Sequence, residues 1–285
     1  MTERLADIRA RIAGMQQLGA VVNAMRGIAA ARAQHARAES AAVEAFSALV
    51  AGAVGQVMPL CRDDDAPVRR AGAWRQVLVA FCAEQGFAGA FSERVLDAVQ
   101  ADAPGAELYL AGTRGLALAT ERGLAPRLHV AMPARSADIS RLADRIAEDL
   151  YQGMASGEVG RLDVMFNCWV AGQGIRLERR RLFPLDAALF RRPPDADAPL
   201  LQLEPDALLA ELAAGYIHAQ LCDAALHAFV AENEARMQAM AAARGEIERH
   251  LADLEARERV VRQEEITAEI IELVDGSFAS RRGSR

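Results

Sequence analysis

Apolar residues recur at every third or fourth position along the first part of the chain. The seven that carry this pattern are Leu5, Ile8, Ile12, Met15, Gly19, Val22 and Met25. Such spacing is typical of the narrow apolar seam of a coiled coil, so residues 1–58 are predicted to form a coiled-coil helix that ends before Pro59. Gly14, Gly19 and Gly27 lie within the pattern. Either the close approach of another backbone or simple tolerance would explain these glycines.

The middle of the chain alternates between short apolar runs and helical periods. Runs typical of strands occur at residues 76–83, 106–112 and 127–132, and two longer runs flank the hairpin signal Gly172–Gly174. Helical periods occur at residues 91–101, 114–122 and 138–155, the last with Asp138 near its N-cap. Strands that alternate with helices predict a small Rossmann-like α/β domain over residues 74–190.

The last part of the chain, residues 205–280, contains no proline after Pro205. It is predicted to form one coiled-coil helix, far longer than the about 11–12 residues of an average globular helix. A helix of this length needs a partner. Residues 1–40 carry six arginines and three acidic residues, whereas residues 246–276 carry four arginines and ten acidic residues. These opposite charges favour an antiparallel coiled coil of the two terminal helices, into which the α/β domain is inserted.

Composition and motifs indicate no catalytic or ligand-binding site. All 33 basic residues are arginine, so neither a phosphate-loop lysine nor a Schiff-base lysine exists. The turn GFAGAF at residues 86–91 lacks the GxGxxG spacing, the five histidines are scattered, and the four cysteines show no metal-ligand spacing. The net charge of −6 without a basic block argues against nucleic acid as a partner. We therefore expect no catalytic residue, no cofactor and no metal.

Two features bear on the membrane. The N-terminal segment carries Glu3 and Asp7 and lacks an apolar core, so no secretion signal is predicted. The uncharged run from Ala45 to Cys61 is just shorter than the roughly 20 residues that a membrane span needs. We interpret this run as the end of a helix, and we expect no direct insertion into the membrane.

Three stretches, in the family's order, resemble the gamma subunit of the F-type ATP synthase. The most specific is ENEARMQAM at residues 232–240 followed by RQEEITAEIIELVDG at residues 262–276. The others are residues 5–38 and the turn AEQGFAGAFS at residues 83–92. Departures from the family pattern, such as Asn23 and Arg32 at positions of lysine, mark a divergent gamma subunit. It is similar to the gamma subunit that some bacteria encode with a second, N-type ATPase.

The resemblance implies a rotor that performs no bond chemistry. Its partners would be the alpha and beta subunits of the catalytic head, the epsilon subunit and the membrane c-ring. It would lie on the cytoplasmic face of the bacterial inner membrane as a peripheral subunit of a proton- or sodium-transporting ATP synthase. The residues that the motif match assigns to contacts with the catalytic subunits are Met25, Arg236, Arg262, Gln263, Thr267 and Glu269. The alternatives are a cytoplasmic coiled-coil adaptor and a small α/β enzyme with helical arms.

The matched motifs also predict a register. If Met25 lies beside Met237 or Met240, the first helix runs out opposite the start of RQEEITAEIIELVDG, and residues beyond about 264 project alone. The apolar face of this tip would consist of Ile266, Ile270, Leu273 and Val274. An isolated helix in water gains little from propensity, so the tip would need an outside surface.

Overall fold

The computed structural model describes residues 2–61, 74–190 and 199–282. The loop after Pro59 and most of the proline-rich segment after residue 190 lie outside the described residues, as do the side chains of Glu272 and Val274. The chain divides into two units: a terminal unit, Met1–Ile28 with Met237–Arg285, and a central unit, Ala29–Arg236.

Five α-helices and five strands make up the described chain. The α-helices are α1 (Thr2–Val57), α2 (Phe91–Asp102), α3 (Thr113–Glu121), α4 (Ile139–Ala155) and α5 (Pro205–Arg282). The strands are β1 (Arg75–Phe81), β2 (Glu107–Ala111), β3 (Leu128–Val130), β4 (Val159–Val170) and β5 (Gly174–Phe183). Short 3-10 helices cover Met58–Leu60, Ser136–Asp138 and Ala187–Leu189. The predicted fold class, an α/β domain inserted between long terminal helices, is confirmed.

The sheet of the central unit has the order β3-β2-β1-β4-β5. The first four of these strands are parallel, and β5 is antiparallel to β4 across a tight turn. Gly172 and Gly174 take φ values of 75° and 80° in that turn, a conformation that glycine adopts without steric cost. The predicted hairpin is therefore confirmed.

Alternation along β1 divides the core of the central unit between the two faces of the sheet. Val77, Val79 and Phe81 belong to the buried cluster that includes α4 and the parts of α1 and α5 in this unit. Leu78 and Ala80 belong to the cluster with α2 and α3 on the other face. Successive side chains of a strand point to opposite faces, so a continuous apolar run is what a strand covered on both faces requires.

Helix α3 lies unusually close to the end of β1. A Cβ atom built at Gly115 would lie 2.2 Å from the Cβ of Cys82, and one built at Gly112 would lie 2.5 Å from the Cys82 carbonyl oxygen. Gly112 also has a φ of 105°, which disfavours any other residue. These two glycines therefore permit the approach of the helix to the sheet.

Two local expectations differ from the structure. Asp138 occupies the N-cap of α4, but among the described residues its carboxylate caps no backbone amide and instead pairs with Arg135 and Arg141. The strand predicted over residues 127–132 is limited to Leu128–Val130. The two arginines compete with the backbone amides for the Asp138 carboxylate. Strand β3 lies at the edge of the sheet and pairs only with β2, so fewer residues are held in the strand.

By length and composition alone, α1 passes as a helix that could cross a membrane. The mostly buried core helix of a soluble protein passes the same test, although only 28% of the apolar window in α1 is buried. In the central unit, Val50, Val54 and Val57 of α1 are buried against protein. This agrees with the interpretation of residues 45–61 as a helix end.

Candidate functional site

In the terminal unit, α1 and α5 pack antiparallel along an apolar seam. Val22, Met240 and Ile247 are buried there, and Met25, Ala243 and Leu251 pack on them. The Nε of Arg9 donates to the Glu258 carboxylate at 2.8 Å. This ion pair joins the basic N-terminal part of α1 to the acidic C-terminal part of α5. The predicted pairing of oppositely charged helices is present, and Met25 lies in one cluster with Met240.

The register differs slightly from the predicted one. A Cβ atom at Gly19 would lie 3.6 Å from the Cγ2 of Ile247, and Arg9 faces Glu258. Counting from these two pairs, Met25 comes opposite residue 241 or 242, just past the Met237–Met240 range that was expected. The predicted register was based on matching residue types, which does not specify which side of each helix faces the other. A shift of one or two residues between the predicted and observed pairing is therefore expected.

The same count brings Thr2, the first described residue of α1, opposite residue 264 or 265. Beyond that point the described part of α1 offers α5 no facing residue. The exposed fractions of Ile266, Ile270, Ile271 and Leu273 are 50%, 54%, 55% and 73%. This stretch, which we call the α5 tip, therefore presents a row of unburied apolar side chains.

The residues assigned by the motif match fall into two groups. Arg262, Gln263, Thr267 and Glu269 are exposed on α5. The hydroxyl of Thr267 donates to the Gln263 carbonyl oxygen at 2.8 Å, so its donor is used within the helix. Met25 is half-buried in the seam of the terminal unit, and Arg236 is only 5% exposed in the central unit.

Arg236 forms a buried clamp on the turn that follows β1. Its Nη2 lies 2.5 Å from the Glu232 carboxylate, one helical turn earlier, and it points at the carbonyl oxygens of Gln85 and Gly86 at 3.4 Å. Glu232 in turn accepts from the backbone N–H of Glu84 at 3.2 Å. Burial raises the pKa of the Glu232 carboxyl above its ordinary value, against the opposing effect of Arg236 and the turn amides.

Glu84 ties the other side of this turn to the sheet. Its carboxylate accepts from the backbone N–H and the hydroxyl of Thr113 at 3.0 and 2.7 Å, and from the N–H of Met132 at 2.8 Å. Phe87, at the turn's outer end, has a φ of 61° and is 68% exposed. A bulky residue in the left-handed region is held there by its surroundings, which here are the Glu232, Arg236 and Glu84 contacts.

Neither Glu232 nor Glu84 was predicted from the sequence as a site residue. The spacing of Glu232 and Arg236, four residues apart with the acid first, is a recognisable helix pairing and could have revealed the first. No local pattern marks Glu84, because its partners lie on α3 and after β3.

One arrangement in the central unit imitates a catalytic triad. The Sγ of Cys222 lies 3.8 Å from the Nδ1 of His218, whose Nε2 lies 2.8 Å from the Asp144 carboxylate. Burial raises the pKa of the Cys222 thiol to about 12, so the thiol stays protonated at neutral pH. A nucleophilic cysteine requires the opposite shift, and this group does not support the enzyme alternative.

Comparison with known proteins agrees with this geometry over almost the whole chain. The profile of the family described as ATP synthase matches residues 4–279. An ATP synthase gamma chain of Chlorobium luteolum is 27% identical over 289 residues, covering 96% of this chain and 98% of that protein. One of Frankia casuarinae is 26% identical over 298 residues, covering all of both chains.

Solved structures share the fold at lower identity. A chain of the OSCP/F1/c-ring part of the Euglena gracilis mitochondrial ATP synthase, in rotational state 3, aligns with a TM-score of 0.67 at 14% identity. The alignment covers 100% of this chain and 97% of that one. The chain therefore belongs to the ATP synthase family, and within that family to the gamma chains.

Proposed function

We infer that this chain is the central-stalk rotor subunit, gamma, of an F-type ATP synthase. The observation that carries this inference is the α5 tip, where four apolar side chains remain exposed beyond the helix pair. An isolated helix gains little from propensity, and a cluster of exposed apolar side chains marks a contact surface. The ring of alpha and beta subunits provides the surrounding surface in this proposal.

The chain acts by its position and makes or breaks no bond. A shaft that changes from two helices to one along its length is asymmetric, so each beta subunit meets a different face as the shaft turns. The nucleotide affinity of a beta subunit shifts only by as much as its contacts with the shaft differ between orientations. Rotation of the c-ring thus alters the nucleotide affinity of each beta site in turn.

The chain is a peripheral component of a membrane-associated complex. We place it on the cytoplasmic face of a bacterial inner membrane, joined to the c-ring and the epsilon subunit. The similarity to the N-type gamma subunit stays a prediction, as does the choice between proton and sodium ions.

The contact residues divide by exposure. Arg262, Gln263, Thr267 and Glu269 are exposed on α5 and would touch the catalytic subunits directly. Met25 and Arg236 would act through packing, because Met25 belongs to the helix seam and Arg236 holds the turn after β1. Rigid support of this kind sets the position of exposed neighbours such as Phe87.

Coexpression with alpha and beta subunits tests the rotor assignment. A complex immobilised through its beta subunits, with a bead attached to Leu189→Cys on this chain, should show ATP-driven rotation of the bead. Leu189 is 64% exposed, which makes it suitable for attachment. The purified chain alone should hydrolyse no ATP. A complex that hydrolyses ATP while the bead stays still, or turnover by the chain alone, would contradict the proposal.

Alanine substitutions test the contact residues. Arg262→Ala, Gln263→Ala and Glu269→Ala should each lower the rotational torque of the complex. The matched control is Arg249→Ala, on the same helix, whose side chain is 75% exposed and pairs with Glu246. If all three variants match Arg249→Ala in torque and in retention within the complex, the assignment of these residues is wrong.

A further inference from the structure

A buried carboxylate in the central unit has one oxygen without a hydrogen-bond partner. Asp223 on α5 is 5% exposed, and its Oδ2 accepts from the Nη1 of Arg180 on β5 at 2.7 Å. Its Oδ1 is buried and accepts no hydrogen bond from any described residue. A buried polar atom left unsatisfied costs about 1–3 kcal/mol, and more when it is charged, so this oxygen needs a partner.

Two further metal-ligating side chains converge on the same place. His227 follows Asp223 by one turn of α5, and Glu44 comes from α1. One ligand atom from each of the three residues lies within 4.8 Å of the others. The His227 ring is oriented by stacking on Phe166, with 5.9 Å between centroids and 25° between planes.

The His227 imidazole does not form a hydrogen bond with the Oδ1 of Asp223. The Nε2 of His227 lies 3.5 Å from the Oδ1 of Asp223, which is beyond the usual length of an N–H···O hydrogen bond. An ion between these atoms would instead be close to both. The charge of Arg180 is shared with Glu178, to which it donates at 2.7 Å, so it does not rest on Asp223 alone.

We propose that Glu44, Asp223 and His227 bind a divalent transition-metal ion of the zinc class. One imidazole nitrogen and two carboxylate oxygens form a donor set that suits Zn²⁺, at ligand distances of about 2.0–2.2 Å. The three atoms must draw somewhat closer than they now lie, and Glu44 can do so because its side chain is exposed. Magnesium and calcium prefer sites made of oxygen alone, so the imidazole selects against them.

The proposed ligand Asp223 is held by a hydrogen bond from a neighbouring side chain, as ligands in metal sites are. Arg180 donates to the Oδ2 of Asp223, whereas the Oδ1 without a partner would bind the ion. This hydrogen bond fixes the orientation of the carboxylate, as residues around a metal site commonly do for the ligands. Arg180 also donates to Gln220, which in turn donates to Ser47 of α1 at 2.6 Å. The ion would thus complete a polar layer that joins α1, α5 and β5 within the central unit.

Titration of the full-length chain with ZnCl₂, followed by calorimetry, tests the proposal. The chain should bind one ion in a single tight step. His227→Asn and Glu44→Gln should each weaken that step at least about 100-fold, since even the loss of an outer partner costs 10–100-fold. Glu44 is exposed, so a loss of binding in Glu44→Gln, with an unchanged circular dichroism spectrum, reflects the site and not misfolding.

The chain offers a matched control on the same helix. The Nε2 of His250 lies 3.3 Å from Glu246, again four residues apart, but both side chains are more than half exposed. His250→Asn should leave binding unchanged. Titration with Co²⁺ then separates this site from the four free cysteines, because an oxygen and nitrogen site gives no thiolate-to-cobalt absorption band.

Four results would overturn the proposal. Wild type and His227→Asn with equal zinc affinity would show that His227 is no ligand. An equal loss in His250→Asn would point to nonspecific surface binding. A thiolate band at one equivalent of cobalt would assign the tight step to a cysteine. Finally, if the chain binds no zinc at all, the proposal is wrong.

Discussion

Removal of the Arg236 side chain tests whether the turn after β1 is held by a buried ion pair. The side chains of Arg236 and Glu232 are each 6% exposed. Arg236→Ala would leave the Glu232 carboxylate buried with only the backbone N–H groups of Glu84 and Gln85, at 3.2 and 3.5 Å. Breaking a buried pair in this way costs about 3–5 kcal/mol, a large part of a typical stability of about 5–15 kcal/mol.

The matched control is Arg244→Ala on the same helix. Arg244 pairs with Glu248, also four residues away, at 2.8 Å, but the two side chains are 46% and 58% exposed. Exposed pairs of this kind contribute about 0.3–0.5 kcal/mol. The two substitutions remove the same chemical group from the same helix, so the difference between them isolates the effect of burial.

Urea unfolding followed by tryptophan fluorescence measures both variants. Trp169 packs on the small cluster that contains Ala231 and Ala235, next to the ion pair, and therefore reports on this region. The double variant Glu232→Leu with Arg236→Met should recover most of the loss, because it leaves no uncompensated charge. A cost below about 1 kcal/mol for Arg236→Ala, or a cost equal to that of Arg244→Ala, would refute the reasoning.

The pH dependence provides a second readout of the same pair. Burial raises the pKa of Glu232 in the folded chain above the ordinary value of 4.5. The folded state therefore keeps a proton that the unfolded state releases, and the contribution of this group to stability falls as the pH rises above about 4.5. The total fall should be larger in Arg236→Ala, which lacks the cation that favours the charged form.

Three further predictions concern packing and register. Cysteines at Gly19 and Ile247 should form a disulfide on mild oxidation, since a Cβ at Gly19 would lie 3.6 Å from the Ile247 Cγ2; no crosslinked band would mean that the register is wrong. Gly115→Ala should lower the urea midpoint by the equivalent of about 1–3 kcal/mol through overpacking, whereas Gly14→Ala, with no described atom within 4 Å, should raise stability by up to about 1 kcal/mol. Cys222, whose pKa burial raises to about 12, should resist iodoacetamide in the native chain at pH 8 and react only after unfolding; rapid native labelling would contradict this.

Local patterns were sufficient for most of the elements. The three-and-four spacing in residues 5–25 and the lack of proline after Pro205 predicted the two long helices that the structure contains. The apolar run at residues 76–83 and the glycines at 172–174 predicted β1 and the β4–β5 hairpin. These signals are local because helix and strand periods arise from backbone geometry within a few residues.

The surroundings of single side chains were not predictable in this way. Arg236 was assigned to a contact with other subunits, whereas the structure buries it against Glu232 and the turn after β1. Whether it also bears on that contact stays a prediction. A helical residue's exposure depends on which distant segment covers its face, and no pattern along α5 encodes the position of residues 84–86.

The order of elements, the charge contrast between the arms and the family membership were thus determined by the sequence itself. Only the tertiary structure decided the helix register, the clamp on the turn and the meeting of Glu44 with Asp223 and His227. The physical reason is the same in each case. These features depend on contacts between residues up to 249 positions apart. Such contacts are selected by the packing of the whole core, to which each local segment contributes only one side.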